Sequence, residues 1–322
     1  MKFSPLYRLR LNYNRFRLLR KTFRNYFFIS YHVLLRNYPF EGLLRTGMNV
    51  LITNFLTLGC YAMRFTNVNH NLDFDYVDFT FNNRDIRLFG ISTNGDLSAS
   101  FSEYKFLKVK EKVVLDIGAN IGDSSIYFVA EGASNVIAVE PVNETFEILS
   151  RNILINNMQD RIIPLRYNIS NMPGNLKMSV GNALGTGTVL IQDQKDGYEV
   201  QNVTLKELML QFNLNDGVLK MDCEGCEYNT IIETDSETLR KFSQIQIEYH
   251  KGYSNLEDKL VKAGFQVTHT KPVRINAQDG VFLVGYIYAE RNNQDARRKG
   301  SQEVVSLMNE KKLQSERAGS KS

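Results

Sequence analysis

The sequence predicts an α/β fold: a seven-stranded, largely parallel sheet with helices on both faces, preceded by an N-terminal helical and hairpin extension. Two observations carry this. From residue 113 onward, short β-rich apolar runs alternate with helical segments, the pattern of repeated βαβ units. The first of those runs, VVLDI, enters a glycine-containing turn, GANIG, that opens a helix. A chain of 322 residues has room for two domains at most, or one α/β domain with extensions. With 43% apolar and 23% charged residues, and 20 Phe and 16 Tyr to fill a core, a fibre or a miniprotein is excluded.

The first element is a basic arm. Residues 1–45 carry ten Lys or Arg against one acid, so with a net charge of +4 overall the remainder is −5. Phe16, Leu19, Phe23 and Phe27 recur at helical spacing among Arg15, Arg17, Arg20, Lys21 and Arg24. Such a helix docks its aromatic stripe on the domain behind it, the favoured reading, or meets an anionic membrane surface or nucleic-acid phosphates; any peripheral membrane contact would fall to residues 15–36. Residues 26–35 are apolar but run into Arg36-Asn37-Tyr38-Pro39 rather than a small-residue cleavage site, so no secretory signal is expected. Residues 46–63 approach spanning length, yet Asn49, Thr53, Asn54 and Thr57 would be costly in hydrocarbon. Three cysteines are too few for a disulfide scaffold, and a cytoplasmic setting, with possible attachment to a membrane surface, is the expectation.

The extension occupies 1–72. Alternation over 74–81 and 86–91 about Asn82-Asn83-Arg84 predicts a hairpin. The core, 112–290, is expected to hold strands at 113–117, 136–140, 162–167, 218–222, 245–249, 265–269 and 281–288. Thr204 with Glu207, and Ser254 with Glu257, have capping-box spelling. Residues 181–188 read as an acceptor-pocket loop, within which Gly185-Thr186-Gly187-Thr188 suits a lid or a plain loop. From 291 to 322 the chain is too polar to offset the entropy of ordering it, and disorder is expected.

The turn after the first strand is a ligand loop. Gly118 and Gly122 can take positive φ and let the backbone approach a ligand, and Asn120 tolerates unusual dihedrals. A dinucleotide site wants G-x-G-x-x-G; this chain offers G-A-N-I-G, with Asp116 placed where a carboxylate would repel a pyrophosphate but suit an ammonium group. Glu140 ends the next strand, where it can accept hydrogen bonds from both ribose hydroxyls. Ribose without phosphate points to S-adenosylmethionine. Asn168, at the end of the third strand, is either a contact to the adenine edge or an ordinary turn residue.

The stretches EYKFLKVKEKVVLDIGANIGDSSIYF (103–128), VIAVEP (136–141), LKMDCEGCEY (219–228) and IQIEYH (245–250) together resemble the FkbM-type methyltransferases. The resemblance spans about 73–290. It implies a Rossmann-like class I methyltransferase fold whose last strand is inserted antiparallel. It also implies methyl transfer from S-adenosylmethionine to a hydroxyl, commonly on a sugar or a secondary metabolite. It marks Glu103-Tyr104 as part of the pattern, with Glu103 placed to close over the cofactor.

Asp222-Cys223-Glu224-Gly225-Cys226-Glu227 follows the strand at 218–222, and in open α/β sheets ligands bind beyond the carboxyl ends of strands. A hydroxyl attacking a sulfonium methyl benefits from a base or a cation, and Asp222 or Glu224 could serve either way. His250, titrating near neutral pH, is the other candidate base. Glu227, already inside the following helix, is expected to be structural. Cys223 and Cys226 lack further ligands for zinc, so no metal site is assigned, although a divalent ion would suit the chemistry.

These features favour an O-methyltransferase acting on a sugar, glycoconjugate or small metabolite. An RNA ribose methyltransferase guided by the basic arm, and a cofactor-binding protein without transfer activity, are the alternatives; nucleic acid is disfavoured as a partner.

Overall fold

The computed structural model describes residues 13, 16–91, 101, 103–183, 187–192, 198–277 and 280–291. Of the expected polar tail, Arg291 ends the last strand, and 292–322 lie outside the described residues.

The basic arm is helical over residues 16–22 and again in α1 (Tyr26–Leu35). The single amphipathic helix expected there is interrupted because Phe23 forms a β-bridge with Leu44. Its aromatic stripe divides as a result: Leu19 and Phe23 are buried and Phe27 is exposed. A hairpin of β1 (Phe40–Leu43) and β2 (Asn49–Ile52) and the helix α2 (Phe55–Ala62) complete a small core around Phe23, Ile29, Phe40 and Ile52. Asn54 and Thr57, two of the polar residues that argue against a membrane span, form the reciprocal cap of α2. Among the described residues no helix is long and apolar enough to cross a membrane.

The predicted hairpin is present as β4 (Tyr76–Phe81) and β5 (Arg84–Phe89), with Asn82 and Asn83 both at positive φ, 48° and 60°. β3 (Thr66–Asn71) pairs with β4, so one three-stranded sheet straddles residue 72.

The core proceeds as β6 (Val113–Ile117), α3 (Asp123–Ala130), β7 (Asn135–Val139), α4 (Asn143–Ile155), β8 (Ile162–Leu165), β9 (Tyr167–Ile169), β10 (Gly174–Ala183), β11 (Gly187–Gln192), β12 (Tyr198–Val203) and α5 (Leu205–Gln211). It continues through β13 (Gly217–Met221), α6 (Cys226–Glu233), α7 (Ser236–Leu239), β14 (Phe242–Tyr249), α8 (Ser254–Lys262), β15 (Phe265–His269), β16 (Val273–Ala277) and β17 (Gly280–Arg291). The main sheet runs β15-β17-β14-β13-β6-β7-β8, with β16 paired to β17. β8, β7, β6, β13 and β14 are parallel, and β17 is inserted antiparallel between β14 and β15. All seven expected strands lie in it, and the order is that of a Rossmann-like class I methyltransferase fold.

Three expectations are corrected. The third strand ends at Leu165, and residues 167–169 instead form β9 of a separate sheet, β11-β10-β12-β9. Residues 181–188 are largely the facing ends of β10 and β11 rather than a loop, with 184–186 outside the described residues. Ser254 makes no capping box with Glu257, because the Glu257 carboxylate sits 3.3 Å from His269 Nδ1 and Tyr253, which stacks on that imidazole, occupies the N-cap. The Thr204–Glu207 box is formed.

Alternate residues of each strand feed opposite cores, as parallel strands buried on both faces require. Leu115, Ile117, Leu219, Met221, Ile245 and Ile247 pack against the face carrying α5, α6 and α8. Val114, Val136 and Val218 pack against the three-stranded sheet, α3 and α4. The buried Asn152 of α4 ties this second layer together. Its amide donates to the carbonyls of Phe89 and Ile121, and its oxygen accepts from the Phe89 N–H.

Candidate functional site

The neighbours of β6 are β7 on one side and β13 on the other, so the direction of winding reverses between β6 and β13. A crevice opens beyond the carboxyl ends of strands at such a reversal. The loops that leave β6 and β13 line it.

The β6 loop is tightly constrained. Gly118 and Ala119 both donate their N–H to the Val139 carbonyl, and Gly118, Asn120 and Gly122 take φ of 75°, 47° and 89°. A Cβ at Gly118 would collide with the carbonyl oxygen of Asp222, so the β6 loop and the β13 loop are in direct backbone contact. Gly122 begins α3, and a Cβ there would meet Leu149. Glu140 lies beside this loop and accepts from Asn120 N–H, Val142 N–H and the Thr145 hydroxyl. Burial raises its pKa above the usual carboxylate range, opposed by those three donors.

Asp116 is placed more deeply than a ligand contact would be. One oxygen accepts from the hydroxyls of Ser124 and Ser125, each at 2.6 Å, and the other lies 3.1 Å from the Lys220 ammonium. Its charge is met inside the protein, where it fastens the start of α3 to β6. Lys220 also donates to the Gly118 carbonyl at 2.7 Å. Burial opposes the Lys220 charge, but Asp116 and Asp222 outweigh it and hold the ammonium pKa above its ordinary value. Sequence reasoning missed Lys220; the available signal was a lone cation inside an otherwise apolar strand.

Beyond β13 and β14 the three candidate catalytic residues converge. His250 Nε2 lies 3.2 Å from Glu224 Oε2, and His250 Nδ1 lies 3.0 Å from Oε1 of the fully buried Glu227. Ligand atoms of Asp222, Glu224 and His250 fall within 4.8 Å of one another, a spacing a divalent cation could bridge. Glu224 stands in left-handed backbone, φ 55°, and Gly225 follows at φ 124° with its N–H on Glu227. Cys223 and Cys226 are joined by a disulfide that closes this turn, a pairing the low cysteine count gave no reason to expect. Tyr228 of α6 donates to the Gly252 carbonyl and accepts from Lys251 N–H, which pins the end of β14 to α6.

The electrostatics follow from packing so many acids together. Burial, with Asp222 and Glu227 nearby, pushes Glu224 up to about 7 against the pull of His250. For His250, burial disfavours the cation, but Glu227, Glu224 and Asp222 together prevail and raise it to about 10. Glu248, two residues before His250, is raised to about 9 by burial and by Asp222, and receives a hydrogen bond from Tyr286. Glu248 is a second group that sequence reasoning missed.

Two further predicted cofactor residues lie off the β6 loop. Asn168 is in β9 and donates its amide to Asn202 at 2.6 Å, holding the smaller sheet. Glu103 precedes the single helical turn Tyr104–Phe106, and its carbonyl accepts from Gln246 of β14. That places Glu103 on the side of Glu248 and Asp222, both of which it influences electrostatically or shares a neighbour with.

Among curated proteins, the ribosomal protein L11 methyltransferase of Geobacter sp. (strain M21) is 32% identical over 71 residues; the match covers 22% of this chain and 23% of that protein. Among solved structures, M. jannaschii TYW2 in complex with AdoMet matches 68% of this chain and 87% of its own at 16% identity and a TM-score of 0.39. M. capricolum TrmK in complex with S-adenosyl-homocysteine matches 61% and 67% at 12% identity and a TM-score of 0.34. Residues 116–267, from the buried acid of β6 through β15, match the methyltransferase FkbM domain. The similarity to the FkbM methyltransferase domain thus covers the segment from β6 through β15, a little under half of the chain.

Proposed function

We propose that this chain transfers a methyl group from S-adenosylmethionine to a hydroxyl oxygen of a sugar, glycoconjugate or small metabolite. The observation that carries the reading is the convergence of Asp222, Glu224 and His250 beside the loop of Gly118. The residues of the β6 loop fit the cofactor. Asn120 Oδ1 is buried without a hydrogen-bond partner among the described residues, and Glu140 stands next to it for the ribose. The cofactor supplies an electrophilic methyl carbon on a sulfonium.

Glu224 is the base. Raised to about 7, it accepts a proton near neutral pH with little mismatch, whereas His250 at about 10 is already protonated and acts as the cation that orients it. With the cofactor bound, its sulfonium would give up the methyl group to the acceptor oxygen, and Glu224 would take the proton that the hydroxyl releases. Asp222 adds negative charge that favours the protonated state of Glu224 as the reaction proceeds.

Isothermal titration with S-adenosylmethionine, S-adenosylhomocysteine and NAD tests the cofactor assignment. Binding of the two adenosyl ligands alone is expected; binding of none would remove it. Transfer of a labelled methyl group into a panel of glycans and polyols, lost in Glu224→Gln with cofactor affinity intact, tests the acceptor class.

A further inference from the structure

The helix α1, YFFISYHVLL, has no formally charged residue, and a helix apolar all round is ordinarily buried. This one is buried on one side only. Ile29 is fully enclosed, and Val33 and Tyr26 pack beside it on the N-terminal core. At 100° per residue, Phe27, Phe28, Tyr31, Leu34 and Leu35 fall on the opposite side. All five are exposed, Phe27 at 68%, Tyr31 at 60% and Leu34 at 80%. A contiguous apolar patch of this kind marks an interaction surface.

Charge identifies what covers it. The Phe16 ring lies 5.5 Å from Tyr26 and 5.8 Å from Phe27, so the helical residues 16–22 run beside the start of α1. Arg17, Arg20, Lys21 and Arg24 are exposed on or just after that segment, and Arg36 follows α1. Arg45 joins them, donating to the Arg20 carbonyl while Arg24 donates to the Arg45 carbonyl. Among the described residues no ion pair engages any of these six. Glu41 is the one acid in residues 1–45. Exposed aromatic and aliphatic side chains bordered by unpaired cations match the boundary between acyl chains and anionic headgroups.

We infer that the outer face of α1, with its bordering arginines, docks on the surface of an anionic lipid bilayer. The aromatic side chains enter the headgroup boundary, and the guanidinium groups rest on lipid phosphates and carboxylates. The inference stands on the N-terminal unit alone and is independent of the methyl-transfer reading.

Co-sedimentation of the full chain with phosphatidylcholine vesicles, and with equal parts phosphatidylcholine and phosphatidylserine, tests it. Binding is expected only to the mixed vesicles and should weaken steeply with salt. Leu34→Ser with Phe27→Ser should lower partitioning at least tenfold. Arg17→Gln with Lys21→Gln should lower it by roughly fivefold per charge. All four side chains are exposed, and an unchanged thermal melt verifies that the variants fold. Equal sedimentation with both vesicles, or with neither, overturns the proposal. So does a concentration-dependent dimer by light scattering that Leu34→Ser abolishes, which would make the face a contact between two copies.

Discussion

The imidazole of His250 is held between Glu227 on Nδ1 and Glu224 on Nε2, at 3.0 and 3.2 Å. Because Glu227 is fully buried in α6 and His250 directly follows β14, this pairing joins helix to sheet and also sets the charge that Glu224 experiences.

Replacing Glu227 with Gln should lower the His250 pKa and cost about 3 kcal/mol near neutral pH, since it removes one partner of a buried charge pair. The pH dependence has a definite sign. The folded-state value of about 10 exceeds the unfolded value of about 6.5, so this stabilisation is complete below about pH 6.5 and is lost as pH rises through about 10. Urea unfolding across that range should slope downward in the native protein and flatten in the variant, and imidazole NMR titration reads the pKa directly.

Turnover should rise with pH through about 7 as Glu224 loses its proton. Glu224→Gln should remove that limb and reduce kcat by about 100-fold or more, the range for loss of a general base. A pH profile of kcat for both proteins checks this, and a limb that persists in the variant would move the base elsewhere.

Lys220→Met should leave Asp116 as an uncompensated buried acid and cost about 3–5 kcal/mol. Adding Asp116→Asn should recover part of that loss. Denaturant midpoints of the single and double variants measure the coupling. Titration with S-adenosylmethionine should show weaker binding in the single variant, because the Gly118 carbonyl loses its donor.

Gly118→Ala should weaken S-adenosylmethionine binding at least tenfold. The position demands positive φ, and a methyl group there would meet the Asp222 carbonyl. Glu140→Ala should weaken binding as well, by removing both the ribose acceptor and the anchor of Asn120 N–H. Calorimetric titration distinguishes either result from unchanged affinity.

Much of this organisation is legible in the sequence because it is local or periodic. Strand periodicity announced β6, β7, β13, β14 and β15, the glycine spacing announced the loop, and Asn82-Asn83 announced the hairpin. What escaped depended on partners distant in the chain. Asp116 reads as a ligand contact until Lys220, about a hundred positions away, is seen to match its charge. Ser254 reads as a cap until His269 is seen to hold Glu257. Asn168 reads as the end of the third strand because nothing local marks the break at Leu165, after which the chain pairs with β12 instead. The four-stranded sheet was missed for a related reason: its strands pair mainly with one another, and their mixed polar and glycine content hides the alternation.

Asn152 has a consequence for how the molecule comes apart. Its single carboxamide links Phe89 of the three-stranded sheet to Ile121 of the β6 loop. The three-stranded sheet and the β6 loop should therefore open as one cooperative unit, and their amide protons should exchange with solvent at a common rate. Cutting the chain at residue 112 to isolate the Rossmann-like core would strip the Asn152 carboxamide of two of its three hydrogen bonds, both to Phe89, whereas a fragment retaining Phe89 keeps the whole bridge.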